Sequence, residues 1–157
     1  MKSVNQTVNQ TVNQTVNQTV NKTVNQTTGR VSEFYVLSVL LRCGINANLT
    51  LGNQKKVDIV VNNKGVAITI DVKGLKSSGD FIIGNYFESK DDKNHFYIFV
   101  YYSNFENVKE NPELYVVPAT EISAIVKERE KNVNNVSLKV LREKYSRDFS
   151  DAVKIFK

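Results

Sequence analysis

From Val57 onward the chain carries two runs of β-branched residues around a polar turn. They are Val57-Asp58-Ile59-Val60-Val61, then Asn62-Asn63-Lys64-Gly65, then Val66-Ala67-Ile68-Thr69-Ile70-Asp71-Val72-Lys73-Gly74. Such runs bracketing an Asn/Lys/Gly cluster predict a β-hairpin. In the second run Val66, Ile68, Ile70 and Val72 share one face, and Ala67, Thr69, Asp71 and Lys73 share the other. With Asn63-Lys64 as a two-residue loop, Val61 pairs with Val66 and Asp58 with Thr69. Asp58 then lies on the face of Asp71 and Lys73, diagonal to Asp71 at about 7–8 Å between backbones. A three-residue loop reverses this parity, so the convergence of two acids and an amine depends on the turn.

The flanking pattern predicts a mixed α/β domain around one sheet. Arg30 to Cys43 reads as a helix ended by Gly44, with Val36, Leu37, Leu40 and Cys43 or Gly44 on its inward stripe. Glu33 sits one turn earlier on that line, although acids also favour a first helical turn for dipole reasons. Ala47 to Leu51 is a short strand candidate. Leu75 to Asp80 is a polar, glycine-punctuated loop, and Phe81 to Phe87 fits either a strand or a short helix. Phe96 to Tyr102 is nearly all apolar and aromatic, as in a central strand covered on both faces. Leu114 to Val117 is a strand stopped by Pro118. Thr120 is expected to cap a helix running to about Lys131, and two short helical pieces are expected between Ser137 and Phe156.

Before all of this, Val4 to Thr27 repeats Val-Asn-Gln-Thr six times, with Lys22 as the one departure. A period of four drifts around a helix and forms no fixed stripe, and Val, Asn and Thr are poor helix formers. Residues 1–28 are therefore expected to be a disordered, low-complexity tail without a part in the chemistry, and residues 29–157 a single domain.

Composition changes the picture in two places. A net charge of +5 with a basic isoelectric point points to a polyanionic partner such as nucleic acid. The single cysteine, Cys43, excludes an internal disulfide and reads as a buried structural thiol. With no apolar run long enough for a membrane span and no signal-peptide core at the start, the expectation is a soluble cytoplasmic protein without a membrane partner.

Two carboxylates brought together are costly unless compensated, and a divalent cation is the usual compensation. Oxygen ligands without thiolate or imidazole suit Mg²⁺ or Mn²⁺. A salt bridge across the hairpin accounts for the same residues without a cation. His95 opens an apolar strand and reads as structural. Ser77 and Ser78 have no histidine partner in the sequence, and Tyr86, Tyr97, Tyr101 and Tyr102 read as core or sheet surface. Lys55, Lys56, Lys76, Lys90 and Lys93 lie near strand ends or in loops, where phosphate contact is conceivable.

The helical Glu33, the strand Asp58 and the Asp71-Val72-Lys73 triplet ending an apolar strand resemble the PD-(D/E)xK nuclease superfamily. Its small Holliday-junction-resolvase-like and solitary members are the nearest in pattern. The resemblance spans about Gly29 to Val117, and one departure is that Val57, not proline, precedes Asp58. It implies a restriction-endonuclease-like α/β fold, an αβββαβ core with a central mixed sheet of four to five strands flanked by helices. It further implies a Mg²⁺- or Mn²⁺-dependent nuclease acting on nucleic acid, with DNA favoured. Asp58 and Asp71 would bind the metal, with the Val72 carbonyl as a further ligand. Glu33 would complete the site directly or through water, and Lys73 would act on the attacking water or the phosphate charge. A homodimer is admitted because duplex cleavage needs two sites, although the sequence marks no interface. The alternatives are a nucleic-acid-binding protein of the same fold that does not cleave, and a structural or interaction protein whose acidic hairpin is only salt-bridged.

Overall fold

A computed structural model of the chain describes residues 26–50, 57–84, 92–129, 133–146 and 148–157. Helix α1 spans residues 26–42 and so begins four residues before Arg30. It is followed by β1 (Ala47–Leu49), β2 (Ile59–Asn63), β3 (Val66–Lys76), β4 (Asp80–Ile82), β5 (His95–Tyr102) and β6 (Glu113–Pro118). Then come α2 (Ala119–Ile122), β7 (Val126–Arg129), β8 (Val133–Ser137), α3 (Leu138–Lys144), α4 (Phe149–Ala152) and a 3-10 turn (Val153–Phe156). Among the described residues no helix is long and apolar enough to cross a membrane. Most of the repeat tail lies outside the described residues, and so does the 85–91 part of the Phe81 to Phe87 segment, which begins in β4.

The main sheet has the order β1-β2-β3-β5-β6, with β3 and β5 parallel and the other pairs antiparallel. A parallel pair needs apolar cover on both faces, and the alternation along β3 and β5 supplies it. On one face Ile68, Ile70, Val72, Phe96, Ile98 and Val100 pack with Val36 and Leu40 of α1 and with Phe149, Val153 and Phe156. On the other, Tyr97, Phe99, Tyr115 and Val117 pack with Phe81, Val136, Ile122 and Leu141. The core therefore has two layers with the sheet between them.

The second layer contains a sheet that the periodicity did not announce. Its order is β4-β8-β7, with Phe81 opposite Val136 and Val136 opposite Val126. The helix expected from Thr120 to Lys131 is one turn, α2, and Val126–Arg129 is a strand instead. The reason is burial. Val126 as a strand residue joins fully buried Val136, and β-branched side chains fit such pleated surfaces. Between β3 and β5 the helix of the expected αβββαβ order is not seen among the described residues, where β4 occupies that connection.

The hairpin turn is Lys64-Gly65, not Asn63-Lys64. Both residues have positive φ, 51° and 89°, the requirement of a type I′ turn. Val61 consequently faces Ile68 and Ile59 faces Ile70, a register shifted by two residues from expectation. A shift of two keeps the side chains of Ile59 to Asn63 on their expected faces.

α1 comes unusually close to β3 at Gly74. Its fully inward line is Thr28, Ser32, Val36 and Leu40. Ser32 Oγ donates to the Thr28 carbonyl at 2.8 Å and lies 3.4 Å from the Tyr102 hydroxyl. A Cβ on residue 74 would stand 2.2 Å from Ser32 Oγ and 3.0 Å from the Thr28 carbonyl oxygen. Gly74→Ala should therefore lower stability by roughly 1–3 kcal/mol, and Ser32→Ala in the same chain should restore part of the loss. Urea unfolding of the three variants checks this. Equal stability of Gly74→Ala and wild type would show that α1 does not need the close approach.

Candidate metal and phosphate site

Asp58 precedes β2 at a break in the ladder. Ile59 pairs with Ile70, and the Asp58 N–H also donates to the Ile70 carbonyl at 3.0 Å. Two residues of one strand thus oppose one of the other, the arrangement of a β-bulge, which re-aims side chains at functional rims. The Asp58 carbonyl accepts from the Thr50 N–H at 2.9 Å and from the Thr50 hydroxyl at 3.2 Å. Its carboxylate Oδ2 accepts from the Val72 N–H at 2.8 Å. Backbone N–H, carbonyl and side chain are all held, so the carboxylate is fixed against the peptide that joins Asp71 to Val72. In a strand the N–H and C=O of one residue point to the same neighbour. The Val72 carbonyl is therefore directed to the side on which Asp58 sits.

Asp71 and Lys73 belong to the other set of β3 positions. Their parallel partners in β5 are Tyr97 and Phe99, which places both on the face of the second layer. Lys73 Nζ lies 3.9 Å from Asp71 Oδ2, with the side chains 25% and 17% exposed. That degree of burial screens the pair less than surface ion pairs are screened. His95, which sequence reasoning set aside as structural, stands at the same carboxylate, with Nε2 4.0 Å from Asp71 Oδ2. Its Nδ1 is 2.8 Å from Thr69 Oγ1, and its ring meets Tyr97 edge-on at 5.0 Å. Burial pushes the His95 pKa below its ordinary value, against opposing pulls from Asp71 and Asp92. The available signal was the pairing of Thr69 with His95 in parallel register, visible only once β3 and β5 are neighbours.

Glu33 comes from the other side of the sheet. α1 covers Ile70 and Val72, because those are the apolar positions of β3, whereas Asp71 faces away from it. The implied role of Glu33 in completing the site is thus corrected, since it and the Asp71 side chain lie on opposite sides of β3. Glu33 is half-buried on the shoulder of the inward line, next to Ser32, which abuts Gly74. Among the described residues no group of three His, Cys, Asp or Glu side chains is placed to hold a metal ion. Mg²⁺ does not require one, since it commonly takes one or two carboxylates and completes its shell with water and substrate phosphate. The donors around Val72 fit that description: the Asp58 and Asp71 carboxylates, the Val72 carbonyl and no thiolate.

Of the basic residues, Lys76 lies at the end of β3 with its ammonium 5.6 Å from the Phe105 ring centroid. It lines a cleft of about 350 Å³ with Thr28, Gly74, Leu75, Asp80 and Ile82. It also borders a second cleft of about 200 Å³ with Ser77, Ser103, Asn104, Phe105 and Glu106. Lys93 is exposed in the turn before β5, and Lys55, Lys56 and Lys90 lie outside the described residues.

No protein-family model matches the chain, and no curated protein matches it. Among solved structures, the chain is similar to a bacterial homing endonuclease, I-Ssp6803I. The identity is 17% over 82% of this chain and 88% of that one, with a TM-score of 0.45. It is also similar to Hjc, a Holliday junction resolvase from the archaeal hyperthermophile Archaeoglobus fulgidus. There the identity is 14% over 73% of this chain and 93% of that one, with a TM-score of 0.46. At these identities and TM-scores the functional reading rests on this chain's own residues.

The Asp58–Val72 hydrogen bond should matter before any ion binds. Asp58→Ala leaves a part-buried N–H without its acceptor, and should cost about 1–3 kcal/mol of stability in EDTA. Asp58→Asn, which keeps an acceptor oxygen, should cost less. Thermal melts without divalent cation read the difference, and identical melts for Asp58→Ala and wild type would contradict the contact.

Proposed function

We propose that this protein is a metal-dependent nuclease that hydrolyses phosphodiester bonds, with DNA as its substrate. The observation that carries the reading is the hydrogen bond of one acid to the peptide N–H that follows the other. The Asp58 carboxylate is bonded to the Val72 N–H, and Asp71, on the other side of that peptide, has Lys73 at 3.9 Å. An acid pair at a strand-end bulge, with an amine beside it and no thiolate, has the chemistry to hold Mg²⁺ or Mn²⁺.

In this reading Asp58, Asp71 and the Val72 carbonyl hold the cation, and Glu33, on the far side of β3, takes no part. When bound, such an ion supplies a nucleophile near neutral pH and a counter-charge for the phosphate. Lys73 adds a fixed positive charge for the non-bridging phosphate oxygens as negative charge builds on them. Asp58 needs little reorganisation, since three backbone-linked contacts already hold it. Lys76 and Lys93, with Lys55, Lys56 and Lys90, contribute charge toward the polyanion beyond the reacting phosphate. A net charge of +5 supports a nucleic-acid substrate on the same grounds.

The test is cleavage of plasmid, single-stranded and branched DNA with Mg²⁺ or Mn²⁺, with EDTA as control. Wild type should cleave only with the cation. Asp71→Ala and Lys73→Ala should each lose about 100-fold or more in rate while circular dichroism shows the fold retained. Cation-dependent cleavage at the wild-type rate by folded Asp71→Ala would refute the assignment. Salt-sensitive DNA binding without turnover would select the non-cleaving reading.

A further inference from the structure

The nuclease reading leaves one group beside Asp71 unused. His95 is 4% exposed at the first position of β5, and both of its nitrogens face polar atoms of β3. Ordinary core packing would ask only for the edge-on contact with Tyr97. Thr69 Oγ1 is 2.8 Å from Nδ1 and 3.5 Å from the Asn94 carbonyl oxygen, so the hydroxyl proton goes to the ring when Nδ1 is unprotonated and to Asn94 when Nδ1 carries the proton. A ring that accepts at Nδ1 carries its proton on Nε2. The other tautomer would turn the Nε2 lone pair toward a carboxylate. Asp71 Oδ2 is the oxygen nearest both to His95 Nε2, at 4.0 Å, and to Lys73 Nζ, at 3.9 Å. Both distances are longer than a hydrogen bond, so an ammonium and a ring edge face a single oxygen of Asp71 across a short gap.

We propose that His95 is a positioning residue for Asp71, with Thr69 donating to Nδ1 so that the Nε2 proton is directed at the Asp71 carboxylate. The proposal rests on the reading of Asp71 as a cation ligand. Its physical basis is general: groups placed just outside a ligating side chain orient it and tune its basicity, and removing them typically costs about 10–100-fold in metal affinity or activity. Thr69 and His95 come from neighbouring parallel strands, so the support is set by the register of the sheet itself.

The experiment is Mn²⁺ binding to the full chain without nucleic acid, read by electron paramagnetic resonance, for wild type, His95→Gln, Thr69→Val and Thr69→Ser. The half-saturating Mn²⁺ concentration should rise about 10–100-fold in His95→Gln. It should rise less in Thr69→Val and return close to wild type in Thr69→Ser, which keeps the hydroxyl. A structural role alone would lower the melting temperature and leave the affinity unchanged, and that result overturns the proposal. If His95→Gln does not fold, unchanged affinity in Thr69→Val overturns it equally. Ring ¹⁵N shifts of metal-free wild type should place the proton on Nε2, and a proton on Nδ1 overturns the proposal whatever the variants do. A wild-type chain that binds no Mn²⁺ refutes the underlying cation reading, a result distinct from unchanged affinity in the variants.

Discussion

The constraint on which this structure turns is the parallel pairing of β3 with β5. Parallel strands are stable only when both faces are covered, and the chain spends its two apolar layers on that requirement. α1 and the C-terminal turns cover one face, and the β4-β8-β7 sheet with α2 and α3 covers the other. Polar groups in β3 are then confined to positions that the second layer leaves part-open. Asp71 and Lys73, 17% and 25% exposed, occupy such positions. The ladder to β2 becomes irregular at the same level, where Asp58 is bulged.

That coincidence gives the site its electrostatic character. A carboxylate at the margin of an apolar layer is costly unless charge or hydrogen bonds compensate it. Here Lys73 and His95 approach one oxygen of Asp71, while a backbone N–H binds Asp58. The same features serve two readings. As a static ion pair, Asp71 and Lys73 contribute modestly to stability. As a ligand set, Asp58 and Asp71 need a cation, and the rigid attachment of Asp58 to both neighbouring strands prepares them for one. The second reading accounts for the bulge, which a hairpin salt bridge does not need.

Much of this was legible in the residues. The alternation Val66, Ile68, Ile70, Val72 marked the covered face of β3, and the unbroken run Phe96 to Tyr102 marked a strand covered on both faces. The same alternation also fixes where α1 must pack, on the side away from Asp71, so the separation of Glu33 from Asp71 was readable. The turn was harder, since it puts a non-glycine residue, Lys64, at positive φ. The second sheet was not legible, because its strands are three to five residues long. Its key pair, Phe81 with Val136, joins residues far apart in the chain, and local patterns carry no information about such contacts. His95 was hidden for the same reason, since its partners Thr69 and Asp71 become neighbours only through the crossover from β3 to β5.

The most direct measurement is anomalous diffraction from a crystal of the full chain grown with Mn²⁺. The account predicts one manganese peak with oxygens of Asp58 and Asp71 at about 2.1 Å, and with the Val72 carbonyl among its ligands. A peak elsewhere, or none at saturating Mn²⁺ with both carboxylates ordered, would contradict it.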